Sequence, residues 1–146
     1  MLNARKNLKC LSAVVLALAG LSFVRVIWDA FFTELNMETL PEGATAGVVL
    51  AAQIVVCVVG CILLLPQIYV GVKGLKIAEK PDHSKAHIVW ATILAVISAI
   101  GIISLVANII KAEDVFENVV ELIDLATDVA IYVAYISCAK QVLKAA

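Results

Sequence analysis

GATAGVVLAAQIVVCVVGCILLLPQIYVGV, residues Gly43–Val72, contains no charged side chain, and neither does IVWATILAVISAIGIISLVANII, residues Ile88–Ile110. A helix that crosses a bilayer needs about 20 consecutive, predominantly apolar residues. Both runs meet that length. The whole chain of 146 residues is 63% hydrophobic and 16% charged, against about 45–50% and 25% in soluble domains. Its mean hydropathy is +1.03. These values predict an integral membrane protein, with the lipid bilayer as its first partner.

Two further segments are shorter. Leu11–Val24 is apolar but runs into Arg25 and Asp29, and Val129–Ala139 completes a crossing only if the acidic residues before it are included. A signal peptide is the alternative for the first, with Arg5, Lys6 and Lys9 as its basic region and Ala17-Leu18-Ala19 as a cleavage site. The apolar character continues to Phe32, which argues for a span instead. An interfacial amphipathic helix is the alternative for the last.

The charges decide the count. Arg5, Lys6, Lys9, Lys73, Lys76, Lys80, Lys85, Lys140 and Lys144 flank the proposed spans on one side. Lys111 falls on the other, beside Glu34, Glu38, Glu42, Glu113, Asp114 and Glu117. Because basic loops stay in the cytoplasm, this asymmetry predicts four spans with both termini cytoplasmic. The expected fold is an all-α, antiparallel bundle of four transmembrane helices, one polytopic domain over residues 1–146. The helices are placed at about 9–32, 44–72, 85–110 and 115–143, and the setting is a bacterial-type plasma (inner) membrane. The very short connection Lys111–Asp114 predicts that the third and fourth helices form an antiparallel hairpin.

The net charge of −1 is then the sum of a basic inner face and an acidic outer one. Basic segments at the inner face favour anionic lipid headgroups, and no interleaved aromatic and basic pattern points to nucleic acid. Cys10, Cys57, Cys61 and Cys138 all fall in helices or at the inner end of one, away from the outer loops where disulfides form. They read as small, soft core residues.

Each helix carries a polar or small stripe at helical spacing, expected to face the bundle interior. The first has Ser22, Arg25, Asp29 and Thr33; the second has Gln53, Cys57, Gly60, Leu64, Gln67, Gly71 and Gly74. The third has Ser98, Gly101, Ser104 or Leu105, Asn108 and Lys111. On the fourth, Glu117, Glu121, Asp124 and Asp128 form an acidic ladder that Tyr132 and Tyr135 continue. Carboxylates inside a span are expensive and mark functional sites.

Depth groups these residues. Arg25 and Asp124 each lie about 10 Å from the outer end of their helices at 1.5 Å per residue. Gln53 is expected near that level, Asp128 one turn deeper, and Asn108 and Asp29 nearer the surface. A guanidinium takes a carboxylate in two parallel hydrogen bonds, so Arg25 is expected to pair with Asp124 or Asp128, and with Asp29 one turn away. Asp29, Glu121, Asp124 and Asp128 still outnumber Arg25 and Lys111. That surplus is the basis of the functional expectation. It predicts a polar, net acidic cavity in the outer half of the bundle that binds or conducts a cation, a proton or a small cationic substrate. Its ligand-binding residues are Asp124, Asp128, Arg25, Asp29, Gln53, Asn108 and Glu121. In a homo-oligomer the ladder would form rings of carboxylates. The alternative is a non-catalytic scaffold, immunity or accessory subunit that docks another membrane protein through the polar stripe.

Other signals are weaker. Leu65-Pro66-Gln67-Ile68-Tyr69 resembles the PQ-loop of SWEET-like transporters over this short stretch, but those proteins use three-helix repeats and this chain shows no repeat. Pro66 predicts a kink. His83 and His87, four apart, have a spacing that suits a metal on a helix, but beside Asp82 they read as solvated loop residues. Trp28, Tyr69 and Trp90 suit interfacial positions. No nucleophile–base pair, phosphate-cradling loop, metal motif or cofactor motif is visible, so the chain reads more as a non-enzyme than as an enzyme acting on lipids, the third alternative, and no cofactor is expected.

Overall fold

A computed structural model describes residues 2–32, 46–81, 84–109 and 115–144. These fold into four helices: α1 Leu2–Phe32, α2 Ala46–Glu79, α3 Ala86–Ile109 and α4 Val115–Lys144. The described residues contain no strand. The loop expected at Thr33–Gly43 and the connection Lys111–Asp114 lie outside the described residues.

α1, α2 and α3 are long and apolar enough to cross a membrane. At 1.5 Å per residue they extend for about 36–51 Å, against a hydrocarbon core about 30 Å thick. Their apolar side chains point outward: Ile54, Val59, Leu63, Ile97, Ile100 and Ile103 are all exposed. So continuous an apolar surface would drive association in water, and it suits lipid. α4 has comparable length, about 45 Å, but carries the acidic ladder in its first half and does not belong to the same apolar class.

Helices α1 and α2 outrun the boundaries expected from charge. α1 begins at Leu2 rather than near Lys9, and α2 continues to Glu79 through the supposed loop at Lys73. A lysine marks where apolar lipid ends, but it does not end a helix. Beyond Val72, Gly74, Ile77 and Ala78 prolong the buried stripe of Val70 and Gly71. On α1, Leu8, Ser12 and Val15 are buried, with Lys6, Lys9 and Cys10 exposed beside them. Both ends are therefore amphipathic helix, joined by an ion pair of 3.1 Å between Lys9 and Glu79. α3 begins at Ala86, where the Lys85 carbonyl accepts the amides of Ile88 and Val89.

The chain divides into two compact units, residues 1–16 with 66–146, and residues 17–65. The first holds the core: Leu8, Val15, Val70, Ile77, Ala91, Tyr132, Tyr135, Ala139 and Val142 are buried together. In it α3 and α4 pack against each other as the expected antiparallel hairpin, His87 meeting Tyr135 and Gly101 meeting Leu125. α1 and α2 also run antiparallel here, with Lys9 beside Glu79, Ser12 beside Gly74 and Leu16 beside Gly71. In the second unit Gly60 meets Val26. The glycines of the α2 stripe thus lie where the side chains of α1 press closest.

Gly74 is the tightest of them. A Cβ at this position would meet the hydroxyls of both Ser12 and Tyr135, whereas one at Gly20 would meet nothing within 4 Å. Gly74→Ala is expected to destabilise the protein by about 1–3 kcal/mol through overpacking. Gly20→Ala is expected to be neutral or stabilising by up to about 1 kcal/mol. Thermal unfolding of the two variants in detergent measures the difference.

Candidate functional site

The acidic ladder lies on α4, and its rungs differ in surroundings. Tyr135 is fully buried and Tyr132 nearly so. Asp128 is half-buried, and Asp124 and Glu121 are exposed. Glu117 is on the helix, but its side chain lies outside the described residues, as does that of Asn108 on α3. The gradient follows from helix geometry. The contact face of α4 passes through Leu125, Tyr132, Tyr135, Ala139 and Val142. Asp124 sits one residue, or 100°, from Leu125, so the acidic line and the contact line coincide at the tyrosines and separate above them.

The same displacement occurs on α1. Its buried or partly buried line is Leu8, Ser12, Val15, Ala19, Ser22, Val26 and Ala30. Ser22 lies on this line, but Arg25 and Asp29 fall one position off it and are exposed, with 68% and 55% of their side-chain surfaces accessible. Arg25 Nε and Asp29 Oδ2 are 3.6 Å apart, the expected pairing one turn along the helix. The small side chains of Ala19, Ser22 and Ala30 were the sequence signal for the true contact face, and the charges drew attention away from it. Within the second unit Val26 faces Gly60. Gln53, partly buried, lies seven residues before Gly60 on α2, about 10 Å away, not level with Arg25 as expected.

Arg25, Asp29 and Gln53 belong to the second unit, and Glu121, Asp124 and Asp128 to the first. Beside the ladder, a cleft between α1 and α4 is lined by Leu11, Ile123, Ala126, Thr127, Ala130, Ile131 and Ala134, an almost wholly apolar wall. Among the described residues no group of His, Cys, Asp and Glu is arranged to hold a metal ion.

The polar groups that are fully enclosed lie towards the lysine-bearing end. Ser12 and His87 are completely buried and Gln67 nearly so. Ser12 donates a hydrogen bond to the Leu8 carbonyl at 2.7 Å. Tyr135 donates one to the Val70 carbonyl at 3.0 Å, joining α4 to α2. His87 presents its ring edge-on to Tyr135, with centroids 6.0 Å apart. The reading of His87 as a solvated loop residue is therefore corrected. It opens α3 one turn before buried Ala91, and that spacing of four was the signal that it belongs to the packed face. His83 lies outside the described residues.

Comparison with known protein families, curated proteins and solved structures finds no match to this chain.

The Tyr135 hydroxyl gives a direct check on the lower rungs. Tyr135→Phe keeps the ring and removes the bond to Val70, so it is expected to lower stability by about 1 kcal/mol. Tyr69→Phe, at an exposed ring, is expected to leave unfolding unchanged. Denaturation of both variants in the same detergent makes the comparison.

Proposed function

We propose that this protein is a small multi-pass membrane protein that docks another membrane subunit through the charged faces of α1 and α4. The observation that carries this reading is the exposure of Arg25, Asp29, Glu121 and Asp124 on long helices. A charge exposed on a span costs up to about 2.5–3.5 kcal/mol at the helix centre on insertion scales, and less towards the helix end. Polar groups of a second helix relieve that cost, and such groups serve as association glue in membranes. Glu121 and Asp124, the exposed charges described in the first half of α4, are both acids, so a surface that meets this helix presents cations or hydrogen-bond donors. A second copy or a different membrane protein meets this requirement. In this reading α4 is a fourth crossing whose acidic face is covered by the partner, and the lysine-rich end, with both termini, is cytoplasmic.

The experiment compares the wild-type protein with an Arg25→Leu/Asp124→Leu variant after mild extraction, by native mass spectrometry. The wild type is expected as an assembly larger than one chain, and the variant as a single chain with an unchanged melting temperature. A wild-type protein recovered alone and monomeric would overturn the proposal.

One observation favours the cation-binding reading as the second: Asp128 is half-buried on α4 between exposed Asp124 and buried Tyr132. It predicts that sodium, calcium or a small quaternary ammonium raises the melting temperature of the wild type and not of Asp128→Asn. Equal stabilisation of the two removes Asp128 from any such role.

A further inference from the structure

A cleft of about 470 Å³ opens between the start of α3 and the end of α4, lined by Lys85, Ile88, Val89, Lys140, Leu143 and Lys144. We propose that it binds an anionic phospholipid, the headgroup held by the three lysines and an acyl chain laid along α3. The inference is separate from the docking reading of the exposed charges on α1 and on α4.

Three features support it. The first is charge. Lys85, Lys140 and Lys144 are all exposed, with their ammonium groups available to solvent and headgroups. The amide end of α3 starts at Ala86 and adds a partial positive charge at the same place. The carbonyl end of α4 is the opposing contribution, and Lys140 and Lys144 lie in its last turns, where basic side chains offset it.

The second is the floor. Ile88, Val89 and Leu143 are apolar, and a free phosphate would gain nothing from them. The volume lies in the range of about 300–1,000 Å³ of small-molecule sites.

The third is continuity. Ile88 and Val89 also begin an apolar groove along α3 that continues through Thr92, Ile93, Val96 and Ile97. Because α3 is apolar enough to cross the membrane from Ala86 onwards, the groove leads from the charged cleft into hydrocarbon depth. A molecule with an anionic head and an aliphatic tail matches both parts at once. A soluble anion matches the lysines alone, and a zwitterionic lipid matches the groove without using the excess charge.

The test measures lipid retained by the full chain after extraction from nanodiscs of phosphatidylcholine with and without phosphatidylglycerol. Phosphatidylglycerol is expected to be retained in preference, and each of Lys85→Gln, Lys140→Gln and Lys144→Gln to weaken it about fivefold. Arginine at the same positions is expected to restore retention. Val89→Trp fills the floor with the lysines intact, and is expected to lower phosphatidylglycerol retention while leaving the affinity for inorganic phosphate unchanged. Equal retention of the two lipids, or displacement of phosphatidylglycerol by inorganic phosphate at matched concentration, would overturn the proposal.

Discussion

The packing of the first unit depends on the close approach at Gly74. The absence of a side chain there lets Ser12 of α1 and Tyr135 of α4 reach the backbone of α2. Once there, the Tyr135 hydroxyl bonds the Val70 carbonyl one turn earlier, and its ring meets His87 of α3. One residue without a Cβ thus brings all four helices to a common point. Membrane helices gain little from burying apolar surface against one another, because lipid is equally apolar, and they rely on close packing and interhelical hydrogen bonds. Gly74 and Tyr135 supply both.

That constraint also governs where polar groups are tolerated. Ser12, Gln67, His87 and the two tyrosines occupy the enclosed region near the lysine-bearing end. Arg25, Asp29, Glu121 and Asp124 lie outside the contact faces of their helices. Charged groups exposed on apolar helices are costly to place in lipid, and polar groups of a second protein lower that cost. A docking subunit is the reading that uses this exposure. A cation site at Asp128 uses only the single rung that is half-enclosed.

Much of the fold is legible in the sequence. The apolar runs at Gly43–Val72 and Ile88–Ile110 marked two helices, and the spacing of Gly60, Gly71 and Gly74 marked the face of α2 that meets α1. The shortness of the link between α3 and α4 implied their antiparallel pairing, and they do pack together. The helix ends were less legible, because lysines at Lys9 and Lys73 signal the edge of lipid while the helix itself continues as an amphipathic segment. His87 reads as a loop residue when Asp82 and His83 are weighed, and as a packed one when its spacing of four to Ala91 is.

The sequence by itself determined the helical class, the apolar spans and the stripe of small residues, since these depend on local composition and on a fixed period of 3.6 residues. Only the tertiary structure decided which of two neighbouring stripes on α1 and α4 is covered. Adjacent positions differ by 100° around a helix, and the choice between Arg25 and Val26, or Asp124 and Leu125, is made by what the neighbouring helices place opposite them. The acidic ladder is a property of the sequence, and its passage from buried tyrosines to exposed carboxylates is a property of the packing.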